Sequence, residues 1–197
     1  MVERGKREIG LLVCSVFIAG ILSPSLIPPY VSQEASAATK PNDFLTYYSS
    51  TYEIKIKYPA EWQTIEPEDE YVKVVFLSPL EDPSDSYNEL VMILTEDLPF
   101  KMKLTDYTEV AIRQIRVLYP DMQILTSGPA KLAGNPAHKI VFAATIEGYE
   151  DISVKGMMIW TIKDKKAYIV GFFAEVETYA AYLQTAQTMV DSFEIIG

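Results

Sequence analysis

The stretch Val154-Lys-Gly-Met-Met-Ile-Trp-Thr-Ile-Lys163, Asp164-Lys165, Lys166-Ala-Tyr-Ile-Val-Gly-Phe-Phe-Ala174 decides the fold. Two apolar runs of strand length flank a two-residue polar break, which reads as a β-hairpin. Working back towards the N-terminus, the same grammar recurs. Lys131-Leu-Ala-Gly-Asn-Pro-Ala-His138 reads as a strand, a tight turn at Gly134-Asn135-Pro136, and the start of a further strand from Lys139 to Ile146. Met122 to Ser127 reads as extended, as do Leu90 to Thr95 and Tyr71 to Leu77. Tyr52-Glu-Ile-Lys-Ile-Lys-Tyr58 alternates with period two, the mark of a strand with one buried face. Phe44 to Ser50 forms a first short element.

Two segments break the pattern. Leu104 to Leu118 has helical periodicity, with Thr105 as the expected N-cap and Tyr107, Val110, Ala111, Ile115 and Leu118 mainly on one face. Tyr179 to Val190 is a closing helix, expected to turn Tyr182, Leu183, Ala186, Met189 and Val190 inward. Strands outnumber helices, hairpins join the later strands, and no regular βαβ alternation appears. The expected class is therefore α+β, with a central, mostly antiparallel sheet sandwiched by helices.

Residues 1–37 read differently. Lys6 and Arg7 form a basic start, Ile9 to Leu22 an apolar run of 14 residues, and Ala35-Ser36-Ala37 a small-residue cleavage motif. The run is shorter than the roughly 20 residues that span a bilayer, and Pro24, Pro28 and Pro29 interrupt its continuation. Two readings stand: a signal peptide cleaved after Ala37, or a retained membrane anchor. Either way the chain is expected to be exported, with a linker over 38–43 and one domain over 44–197. The sole cysteine, Cys14, falls in the leader, so a mature chain cut after Ala37 has no thiol for disulfides, catalysis or metal.

The 197-residue chain carries a net charge of −10. In the leader Arg4, Lys6 and Arg7 balance Glu3, Glu8 and Glu34, so the whole acid surplus belongs to the body. A surface of that sign disfavours nucleic acid and anionic lipid, and contact with a membrane is expected only through the N-terminal segment.

Chemistry-bearing residues are sparse. His138 is the only histidine, no Gly-x-Ser-x-Gly elbow accompanies it, and it reads as a surface or strand-edge residue. Zinc would need further His or Cys ligands that the body lacks. Carboxylates cluster at Glu66, Glu68, Asp69 and Glu70, and again at Glu81, Asp82, Asp85 and Glu89. The second cluster offers oxygen ligands for calcium from Asp82, Asp85 and Glu89, without the spacing or central glycine of an EF-hand; the plainer reading is solvated loop charge. Trp62, Trp160, Met157 and Met158 read as packing residues. No phosphate loop or dinucleotide fingerprint occurs, and no cofactor is expected.

Tyr52-Glu-Ile-Lys-Ile-Lys-Tyr-Pro-Ala-Glu-Trp62, Val74-Val-Phe-Leu-Ser-Pro79, Leu132-Ala-Gly-Asn-Pro-Ala137, Met158-Ile-Trp-Thr-Ile162 and Ser192-Phe-Glu-Ile195 occur in the order found in the PsbP family of extrinsic photosystem II subunits. The chain resembles that family from about residue 44 to 196. The resemblance implies an exported protein with an antiparallel sheet between helical layers, a fold shared with a Ran-binding nuclear import factor. It also implies an accessory role beside a membrane-associated complex; the photosystem subunits help to retain calcium and chloride at the oxygen-evolving cluster. This chain lacks a long N-terminal docking arm and the composition of a chloroplast import sequence, which fits a bacterial or archaeal relative better. A small extracytoplasmic hydrolase using carboxylates and a calcium-binding accessory protein are the alternative readings.

Overall fold

The computed structural model describes residues 43–82, 85, 87–146 and 152–197; the leader with Cys14 and the cleavage motif at Ala37 lie outside them. The chain order is β1 (Phe44–Ser49), β2 (Ile54–Pro59), β3 (Gln63–Ile65), β4 (Val72–Leu77), β5 (Leu90–Asp97), α1 (Leu104–Leu118), β6 (Gln123–Leu132), β7 (Asn135–Thr145), β8 (Ser153–Lys163), β9 (Lys166–Glu175), α2 (Tyr179–Asp191) and β10 (Glu194–Ile195).

Seven strands form one sheet in the order β3-β4-β5-β9-β8-β7-β6, and every neighbouring pair is antiparallel. The β8–β9 hairpin lies within it. Its turn residues Asp164 and Lys165 both have positive φ, 49° and 65°, which matches the right-handed strand twist. Both faces of the sheet are covered, so β5, β8 and β9 are buried at most of their positions. Leu90, Met92, Leu94, Ile140, Phe142, Trp160 and Phe173 face α1 and pack with its Tyr107 and Ile115. Gly156 gives way on that face: a Cβ there would come within 2.7 Å of the Phe142 ring.

The opposite face carries two covers. Helix α2 lays Tyr179, Ala186, Met189 and Val190 on Met157, Ile159, Val170 and Phe172. A second sheet, ordered β1-β2-β10, packs Ile54 and Ile56 against Val74, Phe76, Val91 and Ile93. It places the last strand against the second, with Glu194 opposite Lys55 and a 2.9 Å ion pair between them. Fold class is thus the expected α+β sandwich, with this small sheet as an addition.

Several local expectations are corrected. Thr105 lies inside α1, where its hydroxyl turns to Asp106; the N-cap is Lys103, in an extended conformation and without a side-chain cap. The polar stretch 123–132 forms one continuous strand because it pairs along its length with β7. The turn lies at Ala133-Gly134, with Asn135 and Pro136 already in β7. Leu183 is 37% exposed, because α2 turns Tyr179, Ala186, Met189 and Val190 to the sheet instead.

Candidate docking groove

Helix α2 covers only part of its face. Beyond it, towards the sheet edge at β6, an open groove of about 410 Å³ runs between the helix and strands β6 to β8. Residues 179, 183, 184 and 187 of α2 form one wall: at 3.6 residues per turn, Tyr179, Leu183, Gln184 and Gln187 share a side of the helix. The other wall is Leu125, 51% exposed. The β6–β7 register slips between Ile124 and Thr126, so Leu125 has no partner on β7. A bulge of this kind re-aims a side chain at a sheet edge.

Val141 and Met157, opposite one another on β7 and β8, make the floor. Lys139 and Lys155 stand on the same face. The Lys155 ammonium lies 4.3 Å from the Tyr179 ring centroid, a cation–π contact that holds its stem across the groove end. Gly128, opposite Lys139, has open space where a Cβ would be. The groove therefore has an apolar floor, exposed leucines on both walls, and cationic ends.

The residues singled out by their chemistry lie elsewhere. Glu89 is not a solvated loop charge: it is 1% exposed, at the entry to β5. Ser78 donates its hydroxyl to Glu89 Oε2 at 2.9 Å, and Thr178 donates to Oε1 at 2.6 Å. The backbone N–H of Glu89 donates to Ser78 Oγ at 2.9 Å. A buried carboxylate needs such donors, and this one ties the end of β4 to the start of α2. Asp85 accepts the backbone N–H groups of Glu81 and Tyr87, at 2.8 and 2.9 Å, so it shapes its own loop. Asp82 is exposed in that loop. Among the described residues, no group of three or more His, Cys, Asp or Glu side chains is placed to hold a metal ion. Of the first acidic cluster, Asp69 accepts the N–H groups of Tyr71 and Val72, both at 2.7 Å.

His138 is half-buried on β7, inside the sheet edge. Its ring stacks on Trp160 with centroids 5.5 Å apart, and its Nε2 lies 2.8 Å from Ser127 Oγ. Burial pushes its pKa below the usual histidine value. A hydroxyl beside an imidazole is one half of an activated-nucleophile arrangement. Trp62 and Trp160 are both buried, and the Trp160 indole N–H donates to Thr108 on α1 at 2.9 Å. Met158 packs on the α1 side and Met157 under the groove. Among the described residues no helix is long and apolar enough to cross a membrane.

Sequence reasoning did not single out the groove. Its one visible signal is the charge pattern: β6, β7 and β8, of 10, 11 and 11 residues, contain lysines but no Asp or Glu, in a chain of net charge −10.

Comparison with known proteins bears on the whole body. The sequence pattern of the PsbP-like protein family matches residues 11–195. No curated protein matches the sequence. Among solved structures, cyanobacterial PsbP from Synechocystis sp. PCC 6803 superposes with a TM-score of 0.60 at 13% identity, covering 83% of this chain and 98% of that one. LpqN of Mycobacterium tuberculosis, a protein involved in cell envelope biogenesis, gives 0.57 at 12% identity over 79% and 91%. The Ran-binding protein Mog1p of Saccharomyces cerevisiae gives 0.54 at 10% identity over 78% and 96%. At such identities these likenesses concern the fold.

Proposed function

Because the chain belongs to the PsbP-like protein family, we propose that it is an exported, non-enzymatic accessory domain that docks on a membrane-associated protein complex. The observation that carries the reading is the groove beside α2, where Leu125 and Leu183 stay exposed between Lys139 and Lys155. A face of this kind, apolar at its centre and charged at its rim, has the anatomy of a protein contact. Residues 1–37 serve export, or hold the domain at the membrane if they are retained. A photosystem II role belongs to this proposal only in a photosynthetic host.

Site-directed photo-crosslinking of the full-length chain in native membranes tests the reading. A cross-linking residue at Leu125 or Leu183 is expected to trap a subunit of one membrane complex. The same residue at Phe100, exposed away from the groove, is not. Equal adducts from all three positions, or none from the groove, would overturn it.

A further inference from the structure

The groove also specifies what it holds; this step rests on the docking reading above. Its register sets a spacing. Val141 lies opposite Met157, Lys139 opposite Ile159, and Ala143 opposite Lys155. The two lysines therefore stand in side-chain rows two residues to either side of the Val141–Met157 floor. At about 3.4 Å per strand residue, those rows are roughly 13 Å apart. The wall from Tyr179 to Gln187 spans about the same length at 1.5 Å per helical residue.

Charge sets the sign. No strand bordering the groove contains a carboxylate, and the only acid on α2, Asp191, accepts a 2.8 Å hydrogen bond from Gln187. Among the described residues neither lysine is in an ion pair, and the Lys155 ammonium rests on the face of Tyr179, so a carboxylate can reach both cations, on a body whose net charge is strongly negative.

We propose that the groove receives an extended, acidic segment of the partner protein with the pattern carboxylate, any residue, apolar residue, any residue, carboxylate. In an extended chain, residues i, i+2 and i+4 point to one side and span about 13 Å. The central apolar residue meets Val141 between Leu125 and Leu183, and the flanking carboxylates meet Lys139 and Lys155. Recognition of this kind places affinity in the apolar anchor and register in the two charges.

The test is a randomised displayed heptapeptide library panned on immobilised full-length chain, followed by titration of the synthesised winners. Winners are expected to carry carboxylates four residues apart around an apolar residue. They should bind K139Q/K155Q about tenfold more weakly, since two exposed charge pairs are lost, and should weaken as salt is added. K139R/K155R should restore binding, and unchanged melting of both variants excludes a folding effect. Winners without paired acids, winners indifferent to K139Q/K155Q, or lysine-dependent binding to vesicles of anionic lipid in place of peptides would each overturn the proposal. If the library fails while Leu125 still cross-links to a membrane complex, only the segment's chemistry falls. Loss of the cross-link as well removes the docking reading beneath it.

Discussion

Glu96 sits near the end of β5 with its carboxyl against the hydroxyl of Tyr107, which donates to Oε2 at 2.9 Å. Burial nevertheless raises its pKa above the ordinary carboxylate value, outweighing the hydrogen bond, which acts the other way. A folded state that holds this proton more tightly than the unfolded state loses stability as pH rises above the ordinary value and through the raised one. Glu96→Gln keeps an acceptor for Tyr107 and removes the charge. Urea denaturation should find the variant more stable than the parent at neutral pH, and the difference should shrink towards pH 4. His138 works in the opposite direction. Its pKa is lowered by burial, so the unfolded state binds more protons and this stabilisation is lost as pH falls through the unfolded value near 6.5. Proton NMR of the single imidazole should give a midpoint below 6.5; a midpoint above it would contradict the burial argument. Neither environment was legible in the sequence. Glu89 shows why: its two side-chain donors, Ser78 and Thr178, lie 11 and 89 residues away, and only tertiary packing converts an apparent loop acid into a buried tie.

At the scale of elements, the sequence was most readable where a local pattern and its burial coincide. The bounds Leu104 to Leu118 follow from helical periodicity, and the Asp164-Lys165 turn follows from two apolar runs around a polar pair. Strand β3 has three residues and β10 two, too few for any periodicity to register. Strand β6 was read only in two pieces, Met122 to Ser127 and the start of Lys131 to His138, for another reason. It is an edge strand with a mostly exposed pattern, so it is held by backbone pairing to β7 more than by an apolar stripe. That is also why the groove escaped notice: it lies where the sheet outruns its helical cover. The hairpin turn carries a prediction. Lys165 has a φ of 65°, in the left-handed region that costs a side chain about 1 kcal/mol and glycine almost nothing. Lys165→Gly should therefore stabilise the domain by up to about 1 kcal/mol, read as a rise in the denaturant midpoint at unchanged slope. A fall in the midpoint would mean that the lysine side chain contributes more than its backbone conformation costs.

For the whole molecule, the two sheets divide the labour. The seven-stranded sheet makes both cores, while the small sheet joins the two ends of the domain through β2, which pairs with β1 on one edge and β10 on the other. Removing Glu194 to Gly197 strips one edge of β2 and the Lys55–Glu194 pair but leaves Phe193 in the core. A melting temperature lower by about 2–4 °C for each kcal/mol lost is expected, together with a greater tendency to associate through the opened edge. An unchanged melting temperature would show that β10 is incidental.

That arrangement sets a timetable for folding. Strand β5 finds its central neighbour β9 only after some 70 further residues have followed it, and β2 acquires its second edge from residues 194 and 195 of a 197-residue chain. Pairings so distant in sequence form slowly, because loop closure must come first. The seven-stranded sheet is incomplete until β9 has been made, and the small sheet until β10 has been made. Until those late strands arrive, β5 lacks its central neighbour and β2 one of its two edges, so the early strands cannot close a core on their own.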